Sequence, residues 1–118
     1  MKFLEEMKML GVDVEEGKER LMGNAALYER MLVKFADMLQ KTPVSPDFKE
    51  DDCAKAIQSI HALKGAAGNL SIRPLYEAYT EIVDLLRAGE ICRAKEEIRA
   101  ILPVQEKIVA CIRRHGQE

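Results

Sequence analysis

Tryptophan is absent and aromatic residues make up only 5% of the chain, so the core must come from Leu, Ile, Val, Ala and Met, as in packed helices. No apolar run approaches the ~18 residues that would cross a bilayer. The opening Met1-Lys2-Phe3-Leu4-Glu5-Glu6 lacks the long apolar stretch of a signal peptide. These absences predict a cytoplasmic protein with no membrane partner. An excess of one charge is missing too. The net charge is −2 with both signs interspersed, which gives no reason to expect nucleic acid as a partner. The small basic end at Arg113, Arg114 and His115 reads as a solvated helix terminus, where cations suit the macrodipole.

Cysteine is sparse. Cys53, Cys92 and Cys111 are odd in number, widely spaced and set among apolar residues, so they read as reduced core cysteines rather than disulfides. Cys111 and His115 lie four apart and share a helix face. Two ligands without a third or fourth make a poor zinc site, so no metal is expected. Strand-like alternation, internal repeats and low-complexity segments are absent. So is a phosphate-binding loop of the GxxxxGK type.

What is present is 47% hydrophobic and 32% charged residues, the balance of a folded chain, and residues 1–118 read as a single domain. Helical spacing of Phe3, Leu4, Met7 and Leu10 predicts a first short helix ended by Gly11. Asp13 followed by Glu16 resembles a capping box opening a second, which Gly23 closes. Asn24 caps a longer run carrying Leu27, Met31, Leu32, Phe35 and Leu39, and residues 42–47, with two prolines, form a loop. Residues 51–70 follow with one apolar stripe, and Pro74 opens the next helix, which Gly89 stops. The last run, from Ile91 to about Arg114, contains Pro103, which should kink or split it. The expectation is an all-α, antiparallel four-helix bundle capped by two short N-terminal helices.

The most informative segment is His61-Ala-Leu-Lys-Gly-Ala-Ala-Gly-Asn-Leu70. Gly65 and Gly68 each weaken a helix interior by roughly 1 kcal/mol relative to alanine. Two such residues beside the only mid-chain histidine suggest that space is being cleared. On a helix, His61 lies about 100° around from Ile60, the middle of the buried stripe, at the margin of core and water. Gly65 and Gly68 fall on its side, as do Ala54 and Gln58. A histidine at such a margin is more commonly an ordinary boundary residue, and helix glycines can serve close packing. The combination with Lys64, one turn away, points instead to a phosphoryl group on the imidazole with an ammonium beside it.

The segment resembles the signature of histidine-containing phosphotransfer (HPt) domains of bacterial two-component phosphorelays. Leu10-Gly-Val-Asp13, Leu21-Met-Gly-Asn24, Leu27-Tyr28 and Leu32-Val-Lys-Phe35 are similar to the family's N-terminal half, so that roughly residues 8–112 align. The resemblance implies that His61 receives a phosphoryl group from a receiver-domain aspartate, or returns one, through the ring nitrogen far from the backbone. It implies that Lys64 neutralises the phosphate and that Gly65 leaves room for the receiver, with Gly68 in the same small-residue strip. Asn69 matches too and is read as supporting the helix end. Many relatives carry Gln or Glu on the next helix to hold the inner imidazole nitrogen. Val83 stands at that position, leaving Tyr79 and Thr80 as candidates to orient the ring.

The implied protein is a phosphoryl carrier and not an enzyme acting on a small molecule. Its partners would be receiver domains and a sensor histidine kinase, and Mg²⁺ would be needed only in the receiver. Ala54, Ile57, Gln58 and Ala62 are the further docking candidates, and a monomer is expected. A helical adaptor that binds the same partners without phosphotransfer is the alternative. A free-standing chain and a domain of a larger kinase fit equally well.

Overall fold

The computed structural model describes residues 2–116, which form six α-helices, one 3-10 turn and no strand. α1 (Phe3–Met9) and α2 (Val14–Glu19) are short. α3 (Ala25–Lys41), α4 (Cys53–Asn69), α5 (Arg73–Arg87) and α6 (Ile91–Gly116) are long, and the 3-10 turn Glu50–Asp52 leads into α4. The all-helical expectation therefore holds over these residues; Met1, Gln117 and Glu118 of the expected 1–118 domain lie outside them. None of the described helices is long and apolar enough to cross a membrane.

Local chemistry accounts for most of the boundaries. The Asn24 side chain accepts from the Leu27 amide at 3.0 Å, the bond an N-cap makes with an otherwise orphaned donor. Asp13 does the same for Glu16 at 3.2 Å. The reciprocal half of the expected capping box is not made, because the Glu16 carboxylate turns away to Ser71 and Arg73. The Asp13 amide donates instead to the Ser71 carbonyl at 2.9 Å. α2 is also shorter than its punctuation suggests. It ends at Glu19, and Met22, with φ 58°, takes the left-handed position ahead of Gly23.

α5 packs on both α4 and α6, and α6 also meets α3 and α1. Tyr28 and Leu32 of α3, Leu63 of α4, Leu75, Tyr79 and Ile82 of α5, and Ile98, Ile108 and Ile112 of α6 are among the fully buried core residues. Burial of side chains this size stabilises by roughly 1.5–3 kcal/mol each. α6 sets the long dimension: 26 residues give a rod of ~39 Å in a molecule 42 Å long.

Two expectations are corrected. Pro103 does not split the last helix, which is continuous from Ile91 to Gly116. Pro103 and Arg99 both face solvent, so the carbonyl that loses its donor is open to water. Ile98, Ile101 and Ile108 on the opposite face remain buried and hold the helix in place. Cys92 is exposed rather than in the core, whereas Cys111 is buried and Cys53 is half-buried; all three are free thiols.

Candidate functional site

α4 carries an apolar stripe of Ile60, Leu63 and Ala67 into the core, which turns His61 to the outside one residue on. His61 is exposed, and its ring makes no hydrogen bond to another described residue. Lys64 lies half-buried one turn away and forms no ion pair among the described residues. A Cβ built on Gly65 would have nothing within 4 Å of it, so the backbone there is open to an approaching surface. Gly68 differs. A Cβ on Gly68 would lie 2.9 Å from Cδ1 of Tyr76, so this glycine admits the next helix rather than a partner.

The joint between α4 and α5 is tightly built. The Ile72 amide bonds the Ala67 carbonyl at 2.9 Å and the Ser71 amide bonds the Gly68 carbonyl at 3.1 Å. That pattern needs a left-handed residue, usually glycine, at the position Ser71 occupies. Ser71 takes φ 56° and is 3% exposed. Its hydroxyl donates to Glu16 Oε1 at 2.7 Å, a bond glycine could not make. Arg73 then reaches Glu16 Oε2 at 3.0 Å and Asp13 Oδ2 at 3.1 Å. The Ser71 hydroxyl, and after it Arg73, holds the Glu16 carboxyl below the usual carboxylate range. α2 is thus tied to the start of α5, and Tyr28 secures α3 by donating to the Leu70 carbonyl at 2.6 Å.

These links shape an open cleft of about 540 Å³. His61, Lys64, Gly65 and Gly68 line it from α4, Tyr76 and Glu77 from α5, and Glu16 and Arg20 from α2 and its end. Asn69, expected only to support the helix end, is the last residue of α4 and also lines the cleft. Ala54, Gln58 and Ala62 are exposed and Ile57 half-buried on α4, but none of the four lines the cleft. Sequence reasoning missed Glu16, Arg20, Ser71, Arg73, Tyr76 and Glu77. No short-range signal marks them, because Glu16 and Ser71 are brought together across 55 positions.

Neither ring-orienting candidate forms a hydrogen bond with His61. Tyr79 is fully buried, and its hydroxyl donates to Gln105 Oε1 of α6 at 2.5 Å. The Thr80 hydroxyl donates to the Tyr76 carbonyl at 2.7 Å, within its own helix. α5 folds back along α4, with Gly68 against Tyr76. Moving two turns, seven residues, along each helix from that contact brings His61 level with Val83, which is 1% exposed.

The cleft therefore presents an exposed imidazole, an ammonium with no ion pair among the described residues, and open backbone within two turns of one helix. Its other charges are largely engaged with each other. Compared with protein-family models, with curated proteins and with solved structures, the chain gives no match.

Proposed function

We propose that the chain is a phosphorelay intermediate of the histidine-containing phosphotransfer type, in which His61 carries the phosphoryl group. The observation that carries this reading is the exposed His61 with open space over Gly65 and, beside it, Lys64 with no ion pair among the described residues. In the proposed step the Nε2 lone pair attacks phosphorus of a receiver's aspartyl phosphate. The P–O bond breaks and the carboxylate leaves. The ring proton resides on Nδ1, and the Lys64 ammonium faces the phosphoryl oxygens. Reversal passes the group to another receiver, and a sensor kinase is a further donor. Mg²⁺ belongs to the receiver.

In this reading α3 to α6 form an antiparallel four-helix bundle, with α1 and α2 as its cap. The protein works as a cytoplasmic monomer of bacterial two-component signalling. The cleft beside His61 takes the receiver, with Gly65 at the closest approach and Arg20 and Glu77 at the rim. Water holds the inner imidazole nitrogen, since α5 offers Val83 there.

A second reading is an adaptor that binds receivers without accepting phosphate. The apolar Val83 level with His61 favours it, because no side chain then fixes the tautomer. Incubation with receiver domains charged by a small phosphodonor separates the two. Acid-labile, base-stable label on the wild type but not on His61→Ala supports the relay. Binding without label, in either direction and with Mg²⁺ present, supports the adaptor.

A further inference from the structure

Where α1 lies against the end of α6, three side chains with metal-binding atoms converge. Cys111 Sγ donates to Glu6 Oε2 at 3.1 Å, and His115 Nε2 lies 2.8 Å from the same oxygen. The three donor atoms all fall within 4.8 Å of one another. We propose that Glu6, Cys111 and His115 form a site for a divalent transition metal, zinc being the best match, which clamps α1 to the end of α6.

The donor set is one that zinc accepts: thiolate sulfur, imidazole nitrogen and carboxylate oxygen, with water in the fourth position. Metal–ligand bonds of ~2.0–2.3 Å put tetrahedral neighbours about 3.3–3.6 Å apart. The two separations onto Glu6, 2.8 and 3.1 Å, need to widen by about half an ångström. The Cys111–His115 pair, within 4.8 Å, needs at most to close by about an ångström, and side-chain rotation supplies both.

The ligands are held in position from both sides. Cys111 and His115 are one turn apart on α6, and Cys111 is 1% exposed. The His115 ring is stacked on Phe3 of α1, centroids 5.2 Å apart and planes at 6°, which fixes its plane while Nε2 faces Glu6. Arg114 occupies the same Glu6 oxygen at 2.8 Å, but its side chain is 61% exposed and returns to water as the ion arrives.

Charge also balances. A dication with one thiolate and one carboxylate is neutral; the thiol proton leaves to solvent and the imidazole donates its Nε2 lone pair. A recess lined by Glu6, Met9, Lys107 and Arg114 opens beside the trio and gives the ion its way in. The site shares no residue with the His61 cleft, so it stands or falls independently of the relay.

The test is titration of the reduced, metal-free chain with Co²⁺, followed by displacement with Zn²⁺. The expected result is one ion per chain, with thiolate-to-cobalt charge transfer and intense tetrahedral visible bands. Cys92→Ser should leave both unchanged. His115→Gln and Glu6→Gln, verified as folded by circular dichroism, should weaken binding by at least the roughly tenfold that losing even an outer-shell partner costs. Cys111→Ser should abolish the charge-transfer band. Zn²⁺ should also raise the melting temperature of the wild type by more than that of His115→Gln, since an ion bound only to the folded chain stabilises it. Absence of a charge-transfer band at stoichiometric Co²⁺ would overturn the site. So would a band that survives His115→Gln and disappears with Cys92→Ser.

Discussion

Gly68 sits against the ring of Tyr76 so closely that a Cβ on the glycine would come within 2.9 Å of Cδ1. Three residues earlier on the same helix, a Cβ on Gly65 would meet nothing within 4 Å. Two glycines that look equivalent in the sequence thus serve different ends. One closes the α4–α5 contact; the other leaves backbone uncovered next to His61.

That difference sets the sign of two substitutions. Gly65→Ala should stabilise the fold by roughly 0.5–1 kcal/mol, because it gains helix propensity and meets no neighbour. It should also slow phosphoryl exchange with a receiver, whose surface then meets the new methyl. Gly68→Ala gains the same propensity but must displace the Tyr76 ring, so its melting temperature should fall clearly below that of Gly65→Ala. Thermal unfolding beside transfer rates checks both. Equal melting temperatures would refute the packing role of Gly68.

Tyr28 links α3 to the end of α4 through its 2.6 Å bond to the Leu70 carbonyl. Burial pushes the Tyr28 hydroxyl well above the ordinary tyrosine range, so it remains a protonated donor at neutral pH. Tyr28→Phe leaves that carbonyl without its donor and should cost about 1–2 kcal/mol in urea unfolding. A loss below experimental error would mean that the bond contributes nothing net.

Tyr79 and Thr80 provide a test of how the imidazole is held. Their hydroxyls donate to Gln105 and to the Tyr76 carbonyl. Tyr79→Phe should therefore lower stability while leaving the rate of phosphoryl transfer to His61 within about twofold, a change of ~0.4 kcal/mol in the barrier. Thr80→Val should behave likewise toward transfer. A large loss of rate in either variant, with the fold intact, would restore it as the ring-orienting residue.

Acid should loosen the attachment of α1. Hydrogen bonds from Cys111, His115 and Arg114, in that order of effect, hold the Glu6 carboxyl at about 2, below its ordinary 4.5. The folded chain consequently binds fewer protons than the unfolded chain between those values. The stability Glu6 contributes is complete above pH 4.5 and is lost as pH falls toward 2. Glu15 and Glu16 are also lowered, so acid sensitivity does not vanish with Glu6. In metal-free buffer, Glu6→Gln should be less stable than wild type at neutral pH and should lose less on acidification. Parallel stability curves for the two chains would contradict this.

The sequence was most readable where structure is set within a few residues. Asn24, Pro74 and the stripe of Ile60, Leu63 and Ala67 follow from capping, backbone restriction and periodicity. It was least readable where distant positions compete for the same group. Glu16 fits a capping box by spacing, yet its carboxylate is held by Ser71, 55 residues on. Ser71 takes a left-handed conformation that its residue type does not advertise. Cys111 and His115 make half a metal site by spacing, and the third donor, Glu6, comes from the other end of the chain. Pro103 argues for a kink or a split, and the split is avoided where its face is open to solvent. The exposure of His61 was legible from the apolar stripe beside it; the rim of its cleft was not.

The most direct test of the central claim is ³¹P NMR of the whole chain after incubation with a phosphorylated receiver domain, with Mg²⁺ present and the products mapped by proteolysis and mass spectrometry. The expected result is a phosphoramidate signal from Nε2 of His61, stable to base and lost in acid. The signal should also decay when an unphosphorylated receiver is added and never form on His61→Ala. A folded, receiver-binding chain that shows no phosphoramidate, or that carries it on His115, would contradict the account.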